Sequence, residues 1–163
     1  MIVLGIDPGL AATGFGVVAE RDGRLLALDG GVIATPAARP PAARLATLHA
    51  RLEALLDQHA PAAMALEALY FGQNVRTAFA VGQARGVALL AAGRRAVPCV
   101  DYTPQQVKMA VCGSGRAAKV QVQEMVRRLL ALADPPAPDH AADALAVAIC
   151  HLNHAPMRAR VPA

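Results

Sequence analysis

The chain has 163 residues, 55% hydrophobic and 17% charged, with a formal net charge of +4. That length fits one domain with a core of its own, and the high apolar fraction with low charge excludes intrinsic disorder for most of it. No run of ~18 uncharged apolar residues exists, so no transmembrane helix is expected; the longest candidate, Val81 to Ala96, is broken by Arg85, Arg94 and Arg95.

The opening MIVLGIDPG has no basic n-region and enters a strand pattern at once, so no signal peptide is expected. Ile2 to Ile6 reads as the first strand, ended by Asp7-Pro8-Gly9. A second run, Gly14 to Ala19, and a third, Leu25 to Ala34, flank Arg21-Asp22-Gly23, which predicts a hairpin and three antiparallel strands in succession. After the Pro/Ala loop Thr35 to Pro41, Leu45, Leu48, Leu52, Leu55 and Leu56 recur at steps of three and four. That spacing predicts a helix over Ala42 to Gln58, stopped by Pro61. Ala63 to Glu67 is a short apolar run that predicts a buried fourth strand. A helix from Thr77 to Gly93 follows, with Ala80, Ala84, Gly86 and Ala88 small enough for close packing. Val97 to Asp101 is the fifth strand.

Thr103-Pro104-Gln105-Gln106 is a helix start, with Thr as N-cap, Pro at N1 and Gln closing a capping box. That short helix ends before Gly113-Ser114-Gly115. A longer one spans Ala117 to Ala131, with Val122, Val126, Leu129 and Leu130 inward. The last helix, Asp139 to Leu152, is apolar and buried apart from its first turn. From Asn153 the chain has no pattern and two prolines, and is expected to be a disordered tail. The order is one α/β domain over 1–152 and a tail over 153–163. Its mixed sheet has three antiparallel strands followed by two parallel ones, with helices on both faces.

Asp7 and Glu67 each end a purely apolar strand where the sheet meets solvent. If the first and fourth strands are neighbours, the two carboxylates converge. In the last helix Asp139, His140 and Asp143 fall in the first turn. The pairs 140/143 and 139/143 are three and four apart, so either pair faces one way. Asp139 fits an N-cap, which leaves His140 and Asp143 without a structural task. Such oxygen and imidazole donors suit Mg²⁺ or Mn²⁺. Cys99, Cys112 and Cys150 are odd in number and widely spaced, which argues against a disulfide framework and for a reducing cytosol. The mild basic excess is compatible with a nucleic-acid partner.

Five stretches together carry a resemblance. They are GIDPGLAATGFGVV (Gly5 to Val18), LEALYFGQN (Leu66 to Asn74), GQARGVALLAA (Gly82 to Ala92), YTPQQVKMAVCGSGRAAKVQVQEMV (Tyr102 to Val126) and DHAADALAVAICH (Asp139 to His151). In this order and spacing the chain resembles the RuvC family of Holliday junction endonucleases over almost its whole length. The resemblance implies an RNase H-like fold, in agreement with the element order. It also implies metal-dependent hydrolysis of phosphodiesters in four-way DNA junctions during recombination and repair, with Asp7, Glu67, His140 and Asp143 as the catalytic set. Many members of the family carry Asp where this chain has His140. The choice of His140 over Asp139 comes from the resemblance, and imidazole moves the metal preference toward Mn²⁺.

Such hydrolysis suits two divalent cations about 3.5–4 Å apart. Asp7, central on the first strand, is expected to bridge them, with Glu67 on one and His140 and Asp143 on the other. The loop after Glu67 carries Tyr70 and Phe71, with Asn74 and Arg76 continuing it. By resemblance it probes bases at the junction centre, where stacking contributes ~1–3 kcal/mol per base. Lys108 and Lys119, the chain's only lysines, match family positions implicated in DNA contact. With Arg76 and Arg116 they are expected to neutralise phosphates. Two symmetric nicks call for a C₂ homodimer, with the helix Thr77 to Gly93 as candidate interface unless it is buried within the monomer. The branch-migration proteins RuvA and RuvB are further implied partners, and the location is cytoplasmic.

Other signals carry less. Gly9 to Gly14 has P-loop-like glycines, but Phe15 stands where a Walker A lysine is needed. Cys150-His151 and His154 lack the second ligand pair of a zinc site. His49 and His59 are expected on the surface. Two other classes compete with the nuclease: an actin-like ATP-binding domain, which needs two such domains, and an RNase H-like module that binds nucleic acid without cutting it.

Overall fold

Residues 1–68 and 75–158 are described by the structure, a computed structural model, with side chains over 1–68 and 77–154. Five strands form one sheet in the order β3-β2-β1-β4-β5. The hairpin of β1 (Ile2–Asp7) and β2 (Ala12–Arg21) is extended by β3 (Arg24–Ala34), all antiparallel, and β4 (Ala63–Glu67) and β5 (Cys99–Tyr102) add to β1 in parallel. The expected mixed sheet is thus the observed one. At the β2–β3 turn Asp22 and Gly23 both take positive φ, 52° and 72°, as a two-residue hairpin turn of that hand requires.

Alternation along β1 divides the core. Leu4 and Ile6 point to one face, where they pack with Phe15, Val17, Met64 and Leu66 under α1 (Pro41–His59) and α2 (Val75–Gly93). Val3, Val18, Ala65 and Tyr102 point to the other, under α3 (Pro104–Cys112), α4 (Lys119–Leu129) and α5 (Asp139–Arg158). α5 lies directly on the strands, because the sheet presents glycine beneath it. A Cβ on Gly5 would stand 2.0 Å from the Ala144 carbonyl oxygen, and one on Gly14 1.9 Å from that of His140. α3 starts at the expected capping box: Gln106 N donates to Thr103 Oγ1 at 3.2 Å and Thr103 N to Gln106 Oε1 at 2.8 Å.

Several expectations are corrected. α5 does not stop near Leu152 but passes through Pro156 to Arg158, so residues 153–158 are helical. Asp139 does not cap α5. The Pro138 carbonyl accepts from Ala141 N at 2.9 Å and Ala142 N at 3.4 Å, and the Asp139 carboxylate is turned toward α4. His59 is no surface residue: its side chain is 11% exposed, and its Nε2 lies 3.1 Å from Asp29 Oδ2 on β3. His49 is likewise half-buried beside Glu53. Among the described residues, no helix is long and apolar enough to cross a membrane.

α2 has two distinct faces. Ala84, Ala88, Ala91 and Ala92 are buried against the sheet and α1. On the opposite side Gly82, Gly86 and Gly93 face open space, beside Phe79, 68% exposed, and Leu90, 57% exposed.

Candidate active site

β1 and β4 run parallel and in register, with Ile6 opposite Leu66, so their terminal carboxylates, Asp7 and Glu67, emerge side by side at the carboxyl edge of the sheet. Open α/β sheets place their ligands at that edge. The first turn of α5 closes over it. Because α5 rests on the glycine backbone of β2, His140 reaches Asp7, with Nδ1 2.6 Å from Oδ2. Asp7, His140 and Asp143 each offer one ligand atom, all within 4.8 Å of one another.

Glu67 belongs to the same charge cluster. Burial, then the negative charges of Asp7 and Asp143, and the hydrogen bond its protonated form gives Asp7, push its carboxyl up to about 7. Burial also raises Asp143, against the opposing pull of Lys119. Lys119 opens α4, and its Nζ lies 3.2 Å from Asp143 Oδ2 and 3.2 Å from Asp139 Oδ2. Burial pulls this ammonium down, but its bonds to the two carboxylates outweigh that and raise it. Asp139 is held low by the hydrogen bond from Lys119, and its Oδ1 accepts from Gln123 Nε2 at 2.9 Å. The result is a surplus of carboxylate over cation in a partly buried pocket, the environment that divalent ions stabilise.

Two cavities flank the cluster. One, about 180 Å³, is lined by Glu67 and Asp143 with Lys108, Lys119, Pro104 and Val107. The other, about 360 Å³, is lined by His140, the Gly9–Ala12 turn, Arg44 and the start of α2. The structure therefore brings together all four expected acid and imidazole residues and both lysines. Arg116 stands apart. It is exposed and lines a separate groove with Val120, Gln121 and Glu124. Tyr70, Phe71 and Asn74 lie outside the described residues, as does the side chain of Arg76.

Sequence reasoning did not single out Arg44, and it weighed Asp139 as a cap or as the alternative to His140; the structure sets the Asp139 carboxylate against Lys119 and Gln123. A signal for Arg44 existed in the topology. Three antiparallel strands return the chain to the end where it left Asp7, so the helix after β3 must begin there.

The sequence profile of the family described as crossover junction endodeoxyribonuclease RuvC matches residues 3–151. The crossover junction endodeoxyribonuclease RuvC of Moorella thermoacetica is 52% identical over 160 residues, covering 98% of this chain and 96% of the relative. The solved structure of Thermus thermophilus RuvC superposes with a TM-score of 0.91 at 42% identity, over 97% of each chain. T. thermophilus RuvC in complex with Holliday junction substrate gives 0.89 at 39% identity, over 96% of each chain.

Proposed function

The chain belongs to the RuvC family of crossover junction endodeoxyribonucleases, and from that membership we propose that it resolves four-way DNA junctions by hydrolysing one phosphodiester in each of two opposed strands. One observation carries the reading: a single sheet edge collects Asp7 from β1, Glu67 from β4, and His140 and Asp143 from α5 into one carboxylate–imidazole cluster. A module that only binds nucleic acid has no use for converging acids, which repel phosphate. An actin-like ATP site needs a second domain facing the first.

The donors present fit divalent cations. They are oxygen and imidazole atoms, close together, and carry more negative charge than Lys119 neutralises. Asp7, Glu67, His140 and Asp143 would hold two such ions, Mg²⁺ or Mn²⁺. Bound there, the ions supply an activated water and stabilise charge on the phosphoryl and leaving oxygens. The protein's own groups do the rest. Asp7 stands between Glu67 and His140 and ties the two halves of the cluster. Lys119, bonded to Asp139 and Asp143, and Lys108 on the same cavity present positive charge where the phosphate enters. Tyr70, Phe71, Asn74, Arg76 and Arg116 extend the DNA contact.

A two-fold junction calls for two copies of this site. The open face of α2, with Gly82, Gly86 and Gly93 beside the exposed Phe79 and Leu90, is the surface we assign to the homodimer. Cytoplasmic location and cooperation with RuvA and RuvB belong to the same reading. The test is incubation with a synthetic four-way junction and, separately, with linear duplex and ATP, each with Mg²⁺, Mn²⁺ or chelator. Paired nicks in the junction only, and only with metal, are expected. ATP hydrolysis, or junction binding without nicks in either metal, overturns the proposal.

A further inference from the structure

Of the expected DNA contacts within the described residues, the two lysines lie to one side of the acidic cluster, where Lys108 and Lys119 line the cavity that Glu67 and Asp143 share, and Arg116 stands apart in its own groove. The cavity on the His140 side is lined, among the described residues, by one arginine, Arg44. It sits in the first turn of α1, and its Nε donates to the Thr35 carbonyl at 3.1 Å and to Thr35 Oγ1 at 3.2 Å. Thr35 is itself fixed. It is 2% exposed, its hydroxyl donates to the Leu10 carbonyl, and its N–H donates to the Ala11 carbonyl at 3.0 Å. The turn it grips is stiffened again by Thr13, 1% exposed, whose hydroxyl donates to the Gly9 carbonyl at 2.6 Å.

This anchoring uses one edge of the guanidinium. Other well-anchored arginines of the chain spend their terminal nitrogens on acids: Arg85 on Asp101, Arg95 on Glu53 and Asp57, and Arg127 on Glu124. Among the described residues, no carboxylate pairs with Arg44. A guanidinium held rigidly through Nε, with Nη1 and Nη2 left for a cavity beside a catalytic histidine, is pre-organised for bidentate binding of a phosphate. Much of the remaining lining suits a close-lying strand, since Gly9, Ala11, Ala12 and Ala80 offer little side chain to obstruct it, with Leu10, Thr77 and Val81 completing the wall.

We propose that Arg44 binds a backbone phosphodiester of the strand being cut, on the side of the cluster opposite Lys108 and Lys119. The cut strand is thereby gripped on both sides of the bond that is hydrolysed. The inference rests on the reading of the site as a DNA nuclease, and its test is made independent of cutting.

Junction binding is measured in the Asp7→Asn background over a series of salt concentrations, with and without Arg44→Gln. Removing one phosphate contact is expected to raise Kd by roughly fivefold to tenfold and to flatten the salt slope by about one unit. Neutral methylphosphonate groups are then walked singly along the cut strand. At one position beside the cut, the neutral group should weaken the Arg44 protein and leave Arg44→Gln unaffected. If Arg44→Gln fails to fold, Arg44→Lys replaces it, and the same position should lose part of its penalty. An unchanged salt slope, or no position that couples to residue 44, overturns the proposal and leaves Arg44 as a clasp for the Gly9–Ala12 turn. Failure of the wild-type protein to nick junctions sinks the nuclease reading instead, and is a separate result.

Discussion

At the residue scale, Glu67 is the most informative titrating group. Its carboxyl is raised to about 7 from an ordinary 4.5 by burial and by Asp7 and Asp143. In the metal-free protein the folded state therefore keeps a proton that the unfolded chain releases. The stability this contributes is complete below about 4.5 and is lost as pH rises through about 7. Glu67→Gln should remove that decline, as thermal melts at several pH values in chelator would read. Metal must displace the proton, so Mn²⁺ binding at pH 6 should release a proton and its affinity should climb toward pH 7 and then level. Calorimetry in buffers of different ionisation enthalpy reads this, and binding indifferent to pH would contradict it. His140 makes a second case. Imidazole is a softer donor than carboxylate, so His140→Asp should shift nicking from Mn²⁺ toward Mg²⁺. An unmoved metal ratio would remove His140 from the ligand set. Asp7 and Glu67 were legible in the sequence because each is the first charge after an unbroken apolar strand. His140 was not separable from Asp139 by helix spacing alone. The decision lay in tertiary contact: Asp139 turns to Lys119 and Gln123, and His140 to Asp7.

At the element scale, the site depends on how closely α5 lies on β1 and β2. Gly14→Ala places a Cβ 1.9 Å from the His140 carbonyl oxygen, so the first turn of α5 must move. Overpacking of this kind costs about 1–3 kcal/mol or more, and the same displacement separates His140 and Asp143 from Asp7. Both a lower melting temperature and weaker Mn²⁺ binding are expected. Gly30→Ala is the control, because its nearest neighbour would be 3.6 Å away, an ordinary contact. Equal losses in the two variants would argue that glycine is needed for the strand backbone rather than for the approach of α5. The strands, the hairpin and the α3 capping box were readable because each is set by local chemistry. The end of α5 was not. Pro156 signalled a break, yet a proline removes one backbone donor without ending a helix whose remaining turns are already formed. The role of Arg44 was also hidden, since nothing in its neighbours along the chain distinguishes it from other arginines on helix surfaces. Only the return of β3 to the carboxyl edge of the sheet brings it to His140.

At the scale of the whole molecule, the carboxyl edge of the sheet collects the acidic cluster, and the open face of α2 is the surface proposed for a second copy. The buried alanines of α2 hold it to the monomer, so a change on the open glycine face should leave the fold intact. Leu90→Glu is expected to halve the mass seen by sedimentation equilibrium while the far-ultraviolet circular dichroism stays as in the wild type, and to abolish paired nicking. A mass unchanged from that of a wild-type dimer would place the interface elsewhere. The central claim is that the carboxylates at the sheet edge serve hydrolysis and not folding or DNA affinity. Its most direct test is Asp7→Asn, assayed on one four-way junction for both binding and metal-dependent nicking. Removal of a negative charge near phosphate cannot weaken attraction. Nicking should therefore vanish in Mg²⁺ and Mn²⁺ while binding is kept or tightened; nicking that survives, or binding lost together with it, would contradict the claim.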